Sequence, residues 1–453
     1  MPALEDFATW EPLLRLIRDG IGAGKSGRAA GDIGRHSWSV PVPRRPPAPG
    51  QASMINDMQE ELDAVELLRN SLGDLDGISF VVDIEPDGRT TLRLIDTGPA
   101  ADQAIGSPGP GDLRFVEGAV PEPWRRLPEP SPDATPAPTA DAALLERTLR
   151  ERLPNAIGAT DEEIAAAEAR LGLPLPDELK ALYRVTRARL DDLNGDDEAM
   201  DEYEDAVRCE LLPLDSLYIA NAESRPTRWK FGAAEAVVTG QESAVQRLVG
   251  SPGWIAFGDN GGGDRYAIDL TPGPKGHLGQ IIMIEHEWNI GAMLVADSLT
   301  DMIVHDEYGD IVHGRGVSGD PAKAVAYLND PSVGSVEAAA NPGLEVLRIG
   351  VWEGEPLSLA PVFDCPRLRT LTADRHTLAD PLEIKRLKHL EYLSLAPEDW
   401  RVLLNAGAVP RTLLAAGFEG YQHDPLALAS LANELLALRE RPLITVTVLE
   451  GVL

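Results

Sequence analysis

Asp259, Asp264 and Asp269, spaced at five-residue intervals, are the side chains of this sequence whose type and spacing could do chemistry together. Carboxylates gathered in one place can hold a divalent cation, or divide into a general acid and a general base. They also have a plainer use, since aspartates in tight turns accept backbone N–H groups. With no Lys or His among them, they resemble a binding surface more than a reactive centre. Asp269 is read first as a structural acceptor. Asp259 and Asp264 are read equally as turn acceptors and as surface carboxylates, and catalysis stands behind both readings.

The stretch that must position them runs from Trp254 to Leu270 and reads as two short strands around a glycine-rich turn. Trp254 to Phe257 is apolar and β-favouring, and Tyr266 to Leu270 alternates apolar with polar. Gly261, Gly262 and Gly263 permit backbone angles that a side chain would forbid, with a positive φ expected at Gly262. The hairpin is expected to crowd the aspartates at one end. Asp259, Asp264, Arg265, Trp229 and Glu287 are therefore the candidate partner-binding residues. Trp254, Gly262, Gly263 and Asp269 are the candidate structural motif.

Other chemistry-bearing patterns fail on inspection. Asp19-Gly-Ile-Gly-Ala-Gly-Lys-Ser26 looks like a phosphate-binding loop, but an aspartate stands where its first glycine belongs and a helical pattern precedes it. The dinucleotide pattern fails at Lys25. Asp192, Asn194 and Asp196 have calcium-loop spacing, but Asp197 replaces the turn glycine and Tyr203 the closing glutamate. His286-Glu287 is followed by Ile290 where a zinc-binding helix needs His. Gly316-Val-Ser-Gly-Asp lacks the second glycine of a nucleophile elbow. No metal, cofactor or catalytic residue is expected, and the chain is not expected to be an enzyme.

Charge narrows the partners. The net charge of −32 repels nucleic acid and anionic membrane, and favours a basic protein. Cys209 and Cys365 are too few for a disulfide framework, which suits a reducing cytoplasm. No stretch reaches transmembrane length.

Along the chain, residues 4 to 18 have a helical period, followed by a flexible Gly/Pro-rich segment to residue 52. Residues 53–127 read as a small α+β domain, with a helix over 54–72 and strands over 78–84, 90–95 and 113–116. Residues 128–140, rich in Pro, Ala, Ser and Thr, read as a linker. Residues 141–308 form a central domain. It includes a capping box, Thr160-Asp-Glu-Glu163, a second helix over 177–186, a helix over 244–249 and a closing helix over 297–305. The acidic run 191–205 reads as a solvated face, and 309–335 as a connector.

This central stretch resembles the Smi/Knr family of the SUKH superfamily. Ala-Thr-Asp-Glu-Glu-Ile-Ala-Ala-Ala-Glu, Leu-Pro-Leu-Pro-Asp-Glu-Leu-Lys, the Trp254 strand, Gly262-Gly-Asp264 and Ile268-Asp269 carry the resemblance in order. The family's Asn-Gly after the second helix is replaced by Arg187-Ala188, with the acidic insertion following. The resemblance implies an α+β domain. It also implies binding without turnover, as in bacterial toxin-immunity proteins and eukaryotic cell-wall regulators.

Residues 336–453 carry a repeat. Leu344-x-x-Leu347-x-Ile349, Leu368-x-x-Leu371-x-Ala373 and Leu390-x-x-Leu393-x-Leu395 recur at spacings of 24 and 22 residues, inside the leucine-rich range of about 20 to 29. The repeats are irregular, lacking the asparagine ladder, and any function is expected on the positions between the leucines. The whole is read as a multidomain α+β protein. Its expected function is that of an immunity factor occluding a basic toxin, with a scaffold or regulator as the alternative.

Overall fold

The apolar period near the N-terminus forms the helix Phe7–Ile21. Asp6 caps it by accepting from the Ala8 N–H at 3.0 Å, and Trp10, Leu13, Leu14 and Ile17 are buried on one face. Gly22 and Gly24 then take φ of 96° and 73°, and the chain turns into the strand Gly27–Gly34. This helix–loop–strand order is the reverse of a phosphate-binding loop, and the strand replaces the expected flexible segment. The computed structural model describes residues 3–22, 24–42, 58–187, 189, 197–306, 323–329, 334–420 and 423–453. Most of the proline-rich 41–49 stretch, the calcium-loop candidates Asp192, Asn194 and Asp196, and Gly316 with most of the 309–335 connector lie outside them. No helix among the described residues is long and apolar enough to cross a membrane.

The chain divides into two units. One comprises Met1–Ala119, Arg228–Lys230 and Ala326–Leu453, and the other Val120–Thr227 and Phe231–Val325. This replaces the linear map of three modules. In the first unit, a five-stranded sheet contains the strands Gly77–Ile84 and Arg89–Asp96, and its edge is the distant strand Thr445–Val452. That strand pairs antiparallel with Arg89–Asp96, from Thr445 opposite Asp96 to Val452 opposite Arg89. A seven-stranded sheet likewise joins Ala415–Phe418 to Pro110–Arg114. Residues 53–127 thus do not close a sheet alone. Their backbone donors are satisfied by strands from the other end of the chain.

The C-terminal repeat forms parallel strands at Val346–Ile349, Thr370–Ala373, Tyr392–Leu395 and Ala415–Phe418, with Leu347, Leu371, Leu393 and Ala416 in one row. Leu344, Leu368, Leu390 and these row residues are buried. The entry to each strand is held by the backbone. Arg369 and Thr370 N–H donate to the Glu345 carbonyl, Glu391 and Tyr392 N–H to Arg369, and Leu414 and Ala415 N–H to Glu391. A buried pair, Arg369 with Glu345 at 3.3 Å, stands near the first of these steps. The positions between the leucines depart from expectation. Thr370, Tyr392, Ser394 and Ala415 are buried, and Arg348 alone among the strand positions is exposed.

In the second unit, helices Ala142–Arg152, Asp161–Leu171 and Asp177–Val185 pack on a six-stranded antiparallel sheet. The expected helix over 244–249 is irregular chain, the expected 211–217 strand is two short strands, Glu210–Leu211 and Tyr218–Ile219, and Met293–Ala296 is an unexpected strand. The acidic run contains the helix Asp197–Val207 and buries Tyr203.

The 128–140 stretch is not a free linker. The Glu129 N–H donates to Gln246 Oε1 at 2.8 Å, Ser131 Oγ to the Pro272 carbonyl at 2.9 Å and Thr139 Oγ1 to Asp301 Oδ2 at 2.6 Å. The Thr135 carbonyl accepts from Leu278 N–H at 2.9 Å, and Ala137 is buried. Proteolysis requires a segment to detach and fit a protease, so these bonds should protect it. Brief native digestion with proteinase K is expected to leave 128–140 intact; early cleavage there, mapped by mass spectrometry, would contradict this.

Candidate functional site

The second unit's leading helices follow from local chemistry. Thr160 Oγ1 accepts from the Glu163 N–H at 3.2 Å while Glu163 Oε2 accepts from the Thr160 N–H at 2.8 Å, the reciprocal capping box. Gly172 ends that helix in the left-handed conformation. The central hairpin pairs Trp254–Asp259 with Arg265–Asp269. Its register sets Asp259 opposite Arg265 and Trp254 opposite Asp269.

This register separates the three aspartates. Asp259 and Asp264 flank the turn, while Asp269 lies at the far end of the hairpin, so the expected crowding of all three does not occur. Asp269 is fully buried. Its Oδ1 accepts from Trp254 Nε1 at 3.0 Å, Thr271 N–H at 2.7 Å and Thr271 Oγ1 at 3.1 Å, and its Oδ2 from Gln280 Nε2 at 2.9 Å. Burial pushes its carboxyl up to about 6, and the hydrogen bonds from Thr271, Gln280 and Trp254 act in the opposite direction.

At the turn, Asp259 forms an ion pair with Arg265 and accepts from the Gly261 N–H at 2.6 Å. Asp264 Oδ1 meets His286 N–H at 3.0 Å and His286 Nδ1 at 2.8 Å, while its Oδ2 accepts from Asn260 Nδ2 at 2.7 Å. Partial burial acts to raise the Asp264 pKa, but the bonds from His286 and Asn260 outweigh it and leave the carboxyl below its ordinary value. Both carboxylates thus have internal partners. Among the described residues, no group of three or more His, Cys, Asp and Glu side chains is arranged to hold a metal ion.

Positive φ occurs at Gly261 (77°) and Gly263 (101°), not at Gly262. Gly263→Ala is expected to cost about 1–2 kcal/mol, because an L-residue is strained there. Gly262→Ala should cost less because its φ is not positive, although the added Cβ would meet Asn260 Oδ1 at 3.3 Å, an atom held by the Gly262 and Asp264 N–H groups. Thermal melts of the two variants measure the order, and a larger loss for Gly262→Ala would contradict it.

Residues 158–305 match the SMI1 / KNR4 family (SUKH-1). The match falls on the helices and hairpin just described. The chain is also 33% identical over 69 residues to a "Glucan synthesis regulatory protein" of Neurospora crassa, a stretch that is 15% of this chain and 13% of that relative. It is 32% identical over 71 residues to a "KNR4/SMI1 homolog" of Eremothecium gossypii, covering 16% of this chain and 9% of that protein. A third, a "KNR4/SMI1 homolog" of Yarrowia lipolytica, is 42% identical over 48 residues, 11% of this chain and 7% of that protein. The likeness is thus confined to a small fraction of each relative's length.

Two clefts open on the SUKH-1 domain, beside the loop that follows the strand Gln280–Ile284. One, of 250 Å³, is lined by Arg225, Gly263, Arg265, Glu285, His286 and Trp288 among others. The second, of 360 Å³, is lined by Glu235, Arg247, Glu287, Trp288 and Asn289 among others. Trp288 lines both and is 39% exposed.

Arg225 holds the loop in place. Its guanidinium donates to the Val249 carbonyl at 2.7 Å, to Glu285 at 3.2 Å and to Gly291 at 3.5 Å, and also to the carbonyl of Trp288. Burial lowers its pKa. The Arg225 carbonyl in turn accepts from Trp124 Nε1 at 2.7 Å.

The sequence-derived candidates therefore separate. Arg265 and Glu287 line the two neighbouring clefts. Trp229 does not join them; it belongs to the first unit, is 4% exposed and stacks on Tyr392 with 6.2 Å between ring centroids. Trp254 and Asp269 form the buried clasp, and Gly262 and Gly263 the turn. Trp288 and Arg225 were absent from the candidates. The available signal for Trp288 was an aromatic inside the polar loop Glu285-His-Glu-Trp-Asn289. Arg225 gave none, since its carbonyl partners are distant in sequence.

Proposed function

We propose that this chain is a non-catalytic protein-binding protein acting in the cytoplasm, and that its SUKH-1 domain holds a basic partner stoichiometrically, without turnover. The observation that carries this reading is Trp288, exposed between two clefts and anchored by Arg225. Binding energy concentrates on such aromatic anchors set in pockets with polar rims. The net charge of −32 supports a cationic partner, because acidic complementarity speeds encounter and selects against wrong partners. In the immunity reading, that partner is a toxin domain occluded by the complex. The parallel strand stack is read as irregular leucine-rich repeats serving as scaffold. A second reading, a regulator of the Smi/Knr type, is favoured by the name of the Neurospora relative.

Co-expression with the product of an adjoining reading frame tests the proposal. Immunity requires that product to arrest growth alone, the arrest to be relieved by this chain, and a stoichiometric complex that weakens as salt rises. A complex with a harmless product supports the regulator. Relief of arrest by catalytic destruction of the toxin would overturn binding without turnover.

A further inference from the structure

We propose that the 360 Å³ cleft of the SUKH-1 domain is a receptor for an arginine side chain on a basic segment of the partner protein, its guanidinium stacked on Trp288 and paired with Glu287. This rests on the binding reading above and specifies which residue of the partner enters and where.

The two clefts differ in the state of their charges. In the 250 Å³ cleft the basic side chains already have partners: Arg225 donates to backbone carbonyls, Arg265 pairs with Asp259, and His286 Nδ1 lies against Asp264 Oδ1. In the larger cleft, Glu287 is exposed and makes no hydrogen bond or ion pair among the described residues. Glu235 lines the same cleft and accepts from Asn289 Nδ2 at 3.3 Å. Neighbouring Glu285 is raised in pKa first by burial and then by repulsion from Asp264 and Glu287, so an arriving cation would relieve an existing repulsion. Arg247 also lines the cleft, so Glu235 and Glu287 leave its lining with one net negative charge for an incoming guanidinium. Arginine fits better than lysine because its planar group stacks on an aromatic face while offering paired donors to a carboxylate. Because Arg225 ties the loop through backbone carbonyls, the main chain that carries the indole is already ordered, which lowers the ordering cost that opposes binding.

The test uses the full chain labelled with 5-fluorotryptophan, whose eight tryptophans give separate fluorine resonances. The Trp288 signal is assigned by its loss in Trp288→Phe. The probes are acetyl-Gly-Arg-Gly-amide and the same peptide with citrulline, which keeps the shape of arginine without its charge. The expected result is a saturable shift of the Trp288 signal with the arginine peptide and little with citrulline, with affinity reduced about fivefold in Glu287→Gln. Glu287 and Trp288 are exposed, so both variants should keep the wild-type melting temperature. An unmoved Trp288 signal, or equal shifts from both peptides, overturns the arginine receptor. If the co-expressed partner still binds Trp288→Ala and Glu287→Gln as tightly as wild type, this cleft is refuted while the binding function stands. If no partner complex forms at all, the functional reading itself fails.

Discussion

Asp269→Ala is expected to lower the stability of the SUKH-1 domain by at least about 3 kcal/mol, through donors left without an acceptor in a dry site. The carboxylate is fully buried and receives Trp254 Nε1, Thr271 N–H, Thr271 Oγ1 and Gln280 Nε2. Alanine removes every acceptor and leaves a cavity beside Trp254, itself fully buried. A domain's whole stability is about 5–15 kcal/mol, so the loss is a large fraction of it. Asp269→Asn should retain the acceptor toward Trp254 and Thr271 but set an amide N–H₂ against Gln280 Nε2, giving an intermediate loss. Hydrogen exchange of the amides in Trp254–Asp259 and Arg265–Asp269 reads the effect within this unit. A loss for Asp269→Ala below about 0.5 kcal/mol, the range of surface changes, would refute the clasp.

Leu371→Ala is expected to destabilise the first unit by about 2–5 kcal/mol. Leu371 is fully buried and aligned between Leu347 on one neighbouring strand and Leu393 on the other. Truncation leaves a void in the middle of the row, and a rigid parallel ladder can collapse into it only partly. Arg348→Ala, on the exposed position of the neighbouring strand, loses only the guanidinium 5.3 Å above the Tyr327 ring; it is the control and should stay within about 1 kcal/mol. Urea unfolding of the two variants beside wild type measures the contrast, and equal losses would show that the row is not the core.

What was legible in the sequence was local. The capping box at Thr160 to Glu163, the hairpin strands on either side of Gly261 to Gly263, and the leucine rows follow from period, propensity and turn chemistry. The pairing of Thr445–Val452 with Arg89–Asp96 was not legible, since nothing in either strand names a partner so far away. The linker reading of 128–140 failed for a related reason. Its composition is that of a loop, yet its bonds reach Gln246, Pro272 and Asp301. The same limit applied to the candidate surface. Acidic and aromatic residue types could be picked out, but whether Asp259 meets Arg265, or Trp229 meets Tyr392, depends on side-chain neighbours that one-dimensional patterning does not carry.

The strand Thr445–Val452 completes a sheet begun near the other end of the chain, and this has a consequence for synthesis. A nascent chain emerging from the ribosome makes the hairpin of Gly77–Ile84 and Arg89–Asp96 early, but the edge of Arg89–Asp96 waits for its partner until the distant Thr445–Val452 has been translated. The helices and antiparallel sheet of the SUKH-1 domain are complete long before then and can fold co-translationally, while the first unit must close a very long loop. Until it does, the backbone donors and acceptors of Arg89–Asp96 stand open to any other extended segment, including the same strand on a neighbouring nascent chain. A stop codon placed before Thr445 would make that interval permanent, turning a late folding step into an aggregation-prone edge.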